Sequence, residues 1–210
     1  MNDYKKLISS VDNKYKQVPV CETSLNAIRE SIQDEDYFNF LINGVNGGFF
    51  FGNSLQIYSV GDVNEFNDIG VVNQYIKINY SDMLQNEFFF AQDIFGNQFG
   101  FSTRDIVFFN IETGEKEYIA KGFCDWIDLI LNDLEYYLGT KIIEKWNSKT
   151  TNISYNERLC PTIPFVMGGE YEVENLYASP FPSYILANAN IANQINNLPD
   201  GTNIEINPTD

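Results

Sequence analysis

The sequence predicts an α+β fold: an antiparallel or mixed twisted sheet with N-terminal and central helices packed on one face. Three observations carry that expectation. Helical patterning with acid-led starts fills the first forty residues, a run of short aromatic segments separated by turns occupies 47–120, and one amphipathic helix follows over 123–138. Of the 210 residues, 44% are hydrophobic and 15% aromatic, including 17 Phe and 13 Tyr. That is enough apolar surface to bury a large core, so global disorder is excluded.

The elements follow in order. Thr23 or Ser24 can cap a helix through Ile32. Asp34-Glu35-Asp36 places acids at the start of a second helix through Ile42, and Asn43-Gly44 supplies a left-handed stop. Strands are expected at 49–51, 55–58, 88–91, 98–101, 106–109 and 117–120. Gly96-Asn97 and Glu112-Thr113-Gly114-Glu115 read as hairpin turns between them. Phe123, Trp126, Ile127, Ile130, Leu131, Leu134 and Leu138 then recur at three- and four-residue intervals, with Gly139 as the stop. A shorter helix is expected at 142–146 and a polar loop at 147–160.

Residues 1–150 form the main domain on this pattern, and 151–210 an α/β extension. The extension is expected to contain strands at 163–167 and 170–176, a helix at 183–197 and a last strand at 203–206. Ile163, Phe165, Val166, Tyr171, Val173 and Leu176 are too few to form a core alone, so the extension should dock on the main domain.

Composition excludes several chemistries. There are 29 acids and 13 bases, a formal charge of −16, and no histidine. The bases are scattered along the chain, which argues against direct nucleic-acid binding. Without histidine there is no Ser-His-Asp or Cys-His mechanism and no His-ligated zinc. Cys21, Cys124 and Cys160 lie far apart with no CxxC pair, which suits a reducing cytoplasm. Apolar runs reach three or four residues, against the roughly 18 a membrane span needs, and the first residues contain no secretion signal. No catalytic residue, cofactor or metal is expected.

Local motifs mostly yield plain readings. Gly44-Val45-Asn46-Gly47-Gly48 lacks the ending of a phosphate loop and precedes a strand, so it reads as a helix-to-strand turn. Tyr137 and Lys141 have hydride-transfer spacing, but Gly139 breaks the helix that would align them. The segment from Asp62 to Asp68 resembles a calcium loop for three residues, after which Phe66 occupies a ligand position. An acid–base pair among so many carboxylates would suggest a hydrolase, but a solvated acidic surface is the simpler account.

Two acidic constellations remain as candidate partner contacts: Asp62, Glu65 and Asp68 in a loop, and Glu170, Glu172 and Glu174 alternating along the expected strand. On a strand, the second set would form a fixed anionic stripe for a basic partner.

The motifs Phe40-Leu41-Ile42-Asn43-Gly44, Asn46-Gly47-Gly48-Phe49 and Leu55-Gln56-Ile57-Tyr58 together resemble the opening of the SUKH superfamily, the Smi/Knr-like group. Phe90-Ala91-Gln92-Asp93, Gly96-Asn97-Gln98-Phe99 and Ile111-Glu112-Thr113-Gly114-Glu115 resemble its central hairpins. Ile119-Ala120-Lys121-Gly122-Phe123 leading into Trp126-Ile127 is similar to its closing helix. The resemblance covers roughly residues 24–145. Pro164-Phe165, Gly168-Gly169-Glu170-Tyr171 and Leu198-Pro199-Asp200-Gly201 look like an extension of some bacterial members. It implies a cytoplasmic immunity protein that binds and neutralises a cognate toxin, often a nuclease, without chemistry of its own. The alternative is a non-enzymatic regulatory or scaffold protein with an endogenous partner.

Overall fold

The computed structural model describes residues 3–103, 105–196, 198–199 and 201–202. The N-terminal helices are α1 (Asp3–Ser9), α2 (Glu22–Ile28) and α3 (Glu35–Asn43). Helix α2 starts before Thr23 and stops short of Ile32, and its N-cap Cys21 makes no side-chain cap. The expected cap residues instead lie inside its first turn. Asp34 does cap α3, accepting from Tyr37 N at 2.9 Å. Its second carboxylate oxygen accepts from Phe123 N at 2.9 Å, so one side chain caps two helix starts far apart in sequence. The stop after α3 is not left-handed at Gly44 (φ −108°). The positive φ falls at Gly47 and Gly48 (67° and 116°), where a Cβ on Gly47 would lie 2.6 Å from Ile57 O.

All six expected sheet strands form: β1 (Gly48–Phe50), β2 (Leu55–Ile57), β3 (Phe88–Asp93), β4 (Gln98–Ser102), β5 (Asp105–Phe109) and β6 (Lys116–Ala120). Each pairs antiparallel with the next, in sequence order. Between the pairs Phe89↔Gly100 and Ala91↔Phe99 the register shifts, leaving Phe90 as an extra residue. Phe90 therefore joins the face that holds Phe99 and Phe101, with ring centroids 4.9 Å from both Phe101 and Trp126. Phe89 takes the opposite face, in the space that Gly100 leaves: a Cβ there would meet the Phe89 ring at 2.6 Å.

The first face is covered by α1, α3 and α5 (Phe123–Asn132). Phe123 packs 5.2 Å from both Tyr37 and Phe40. The expected helix at 123–138 is interrupted at Asp133 (φ −146°, ψ 79°), which caps a separate α6 (Leu134–Leu138) through Tyr136 N at 3.0 Å. Gly139 is left-handed, as its place at a helix end predicts, and α7 (Thr140–Lys149) follows.

Helix α4 (Ile69–Asn79) was not expected from sequence. Asp68 caps it through Gly70 N and Val71 N, both at 3.0 Å. It lies where β2 ends and β3 continues. Asn73 Nδ2 donates to Phe89 O at 2.7 Å, and Phe89 N donates to Asn73 Oδ1 at 2.8 Å. A carboxamide thus replaces the missing strand partner and satisfies a buried edge.

The extension covers the second face. It contains β7 (Glu157–Pro161) paired antiparallel with β8 (Leu176–Pro180), then α8 (Ser183–Ile195). Leu159 N donates to Ile94 O at 2.9 Å. Cys160, Tyr184, Ile185, Ala189 and Ala192 join the main core, while Ile94, Ile142, Ile143, Ile153, Leu159 and Leu176 form a second one. Both cores cross the 150/151 boundary, so the extension is docked as expected.

Its local structure differs from expectation. The segment at 163–167 contains a short 3-10 turn (Phe165–Met167) followed by left-handed Gly168. Residues 170–175 are bends and a second such turn (Val173–Asn175), and strand structure begins at Leu176. Strand β7 takes up the end of the loop expected at 147–160 and runs on to Pro161. The expected strand at 203–206 lies outside the described residues.

Candidate functional site

The two acidic constellations differ in kind. Asp62 is buried. One of its oxygens accepts from Tyr15 OH at 2.9 Å and Asn67 Nδ2 at 2.8 Å, and the other from Asn64 N at 2.9 Å. Besides capping α4, Asp68 accepts from Gly61 N at 3.1 Å. The carboxylates that suggested a calcium loop are therefore committed to folding the loop, and Glu65 alone of the three is exposed.

Glu170, Glu172 and Glu174 are all exposed but share no strand face, because no strand forms there. Glu172 pairs with Lys145 at 3.2 Å and Glu174 with Lys149 at 2.5 Å. The Lys149 bond holds the Glu174 carboxyl below its usual range. Helix α7 thus neutralises part of the expected stripe. The loop acids sit at the start of α4 and the others against α7, so the fold does not merge the two sets.

A different feature emerges from four separated segments. A cleft of about 390 Å³ opens between the β3–β4 hairpin, strands β5 and β6, helix α6 and the extension. Phe95 and Asn97 come from the hairpin, Phe108 and Glu117 from a cross-strand pair, Tyr136 and Tyr137 from α6, and Tyr171 from the extension. Tyr171 stacks on Phe165 at 3.8 Å and 7°, and both meet Phe95 edge-on at 5.6 Å. Tyr136 and Tyr137 lie 4.9 Å apart. Among the described residues, no lysine or arginine lines the cleft. The Tyr137 hydroxyl is pushed up by burial and then by Tyr136, Glu117 and Asp133; that of Tyr171 is pushed up by burial and then by Glu112 and Asp93. The local field is negative.

Asp93 lies at the back of the cleft. Its carboxylate accepts from Phe95 N at 2.8 Å, Asn97 N at 2.9 Å and Asn97 Nδ2 at 2.9 Å, which builds the hairpin turn. Burial raises it to about 7, against the pull of those bonds and of Arg158. Its unfolded value is near 3.9, so the folded state binds the extra proton between about pH 4 and pH 7. Ionising Asp93 therefore lowers stability as pH rises through that window, by at most about 1.4 kcal/mol per unit. The unfolding free energy of the wild type minus that of Asp93→Asn should fall between about pH 5 and about pH 7.5. Chemical denaturation at matched salt checks this, and a flat or rising difference would show Asp93 ionised throughout.

Behind Asp93 is a closed polar seam. Gln56, Gln92 and Gln98 sit side by side on β2, β3 and β4; Gln92 is 2.7 Å from Gln56 and 3.0 Å from Gln98. Arg158, fully buried on β7, donates to Gln56 Oε1 and to Glu157 O. Tyr58 OH donates to Gln98 at 2.7 Å, and Tyr184 OH lies 3.0 Å from Gln92. These groups bond one another across the junction of sheet and extension, and the side chains of Gln56, Gln92, Gln98, Tyr58, Arg158 and Tyr184 are all buried. Among the described residues no group of three acids or cysteines is placed to hold a metal ion, and no helix is long and apolar enough to cross a membrane.

No family model matches the chain, and no curated protein matches it. The SUKH resemblance therefore stands on the sequence motifs alone. Among solved structures, the chain is similar to the crystal structure of Atu4351 from Agrobacterium tumefaciens, with a TM-score of 0.62 and 15% identity over 90% of this chain and 87% of that one. At that identity the likeness shows a shared fold.

Proposed function

We propose that the protein is a non-catalytic immunity protein of the cytoplasm that binds a cognate basic toxin domain of the nuclease type and occludes its substrate site. The observation that carries this reading is the charge of −16 in a chain without histidine; the SUKH-like motifs point the same way. Nuclease domains bind phosphates with basic surfaces, so an acidic inhibitor is drawn to the surface the nucleic acid would occupy. The exposed Glu65 and Glu170, with Glu172 and Glu174 in exchangeable surface pairs, are the charged contacts on offer.

Purification of the protein from its native cell, followed by identification of whatever remains bound, tests the reading. A basic toxin domain whose activity is lost at one-to-one stoichiometry is expected. A partner that is not basic, or a toxin that stays fully active in the complex, would contradict it.

A further inference from the structure

The cleft between α6 and the extension combines ring faces with uncompensated negative charge. Tyr136 is 76% exposed and Tyr171 56%, so two phenol rings are available at its mouth. The Phe165 stack and the Phe95 edge contact fix the Tyr171 wall. Glu117 on β6 is exposed and has no ion-pair partner among the described residues. Its neighbour Lys116 is committed to Glu87 at 2.8 Å. The electron-rich face of an aromatic ring attracts a cation, and a planar guanidinium stacks on it while bonding a carboxylate at its edge. Exposed tyrosines around a pocket are also where interfaces concentrate their affinity.

We propose that this cleft is an anchor for an arginine side chain of the protein partner, with the guanidinium between the tyrosine rings and Glu117 accepting from it. The proposal rests on the partner-binding reading above and names the chemistry of one contact. An aliphatic side chain would leave Glu117 facing apolar surface, and an anionic one would meet its charge. The extension supplies Tyr171 and Phe165, so the site exists only while the extension is docked.

N-methylguanidinium is the probe, and neutral, nearly isosteric N-methylurea the control, each titrated into the full-length ¹⁵N-labelled protein. Saturable shifts confined to Phe95, Phe108, Glu117, Tyr136, Tyr137 and Tyr171 are expected with N-methylguanidinium, and at least tenfold weaker binding of N-methylurea. Glu117→Gln and Tyr136→Ala, both at exposed positions, should each weaken the probe at least threefold while the rest of the spectrum is kept. Equal responses to the two probes, or unsaturable shifts spread over the acids at 62–68 and 170–174, would overturn the proposal. If a basic partner binds wild type and both variants equally, the anchor is wrong while the inhibitory function stands. If no basic partner binds, that function falls, and the probe titration still decides the cleft.

Discussion

Trp126→Ala is expected to lower the unfolding free energy by about 3–5 kcal/mol, the range for truncating a fully buried large aromatic. Trp126 is 0% exposed and meets Phe90 at 4.9 Å, Phe99 at 5.4 Å and Phe123 at 5.5 Å. It joins α5 to β3 and β4 where the Phe90 bulge turns an additional ring toward the helices. Its Nε1 has no protein acceptor among the described residues, so the side chain contributes by packing. Trp126→Phe keeps most of that packing and should lose no more than about 2 kcal/mol. A loss below about 1 kcal/mol for Trp126→Ala would place the residue outside the core.

Arg158→Ala is expected to destabilise by about 3–5 kcal/mol, from the cavity it leaves and the donors it takes from buried acceptors. The change removes a fully buried side chain, empties its volume, and takes one donor from each of Gln56 Oε1 and Glu157 O. Arg158→Met fills the space without a charge to desolvate and should cost about half as much. The loss should appear where the extension meets the sheet. A protease nick in the loop at 150–156, which is exposed at 150–152, should leave the wild-type fragments associated, since both cores cross it. The same nick in Arg158→Ala should release 157–210. Free separation of the wild-type fragments would show that the extension is not docked.

The sheet was legible because its aromatic runs are punctuated by Gly and Asn turns, and the helix stop at Gly139 because only a left-handed residue fits there. Helix α4 was not, since Ile69, Val71, Val72, Ile76 and Ile78 are β-branched and the polar Asn73 interrupts its apolar face. That asparagine is buried in order to bond the β3 edge, a tertiary reason that local propensity does not contain. Strand β7 escaped because Arg158 breaks the apolar pattern, its charge being answered by glutamines from distant strands. The alternation at 170–174 misled because Gly168 and the 3-10 turn that follows divert the chain before a strand can form. Spacing alone did not separate Asp62, which folds its own loop, from Glu65, which faces solvent. The aromatic cleft was illegible because its walls come from four segments that only the fold brings together.

The charge-directed binding of a basic partner is tested most directly by stopped-flow association as salt is raised. Between about 0.01 M and about 0.15 M the Debye length falls from about 30 Å to about 8 Å. An on-rate well above the neutral range of about 10⁵–10⁶ M⁻¹s⁻¹ is expected at low salt, falling steeply as salt rises, with the off-rate nearly constant. Glu65→Gln and the triple change at Glu170, Glu172 and Glu174 to Gln, made separately, should identify the side that faces the partner: one lowers both the on-rate and its salt dependence, the other neither. Association that is insensitive to salt and to both sets of changes would contradict charge-directed recognition and leave the −16 as a solubility feature alone.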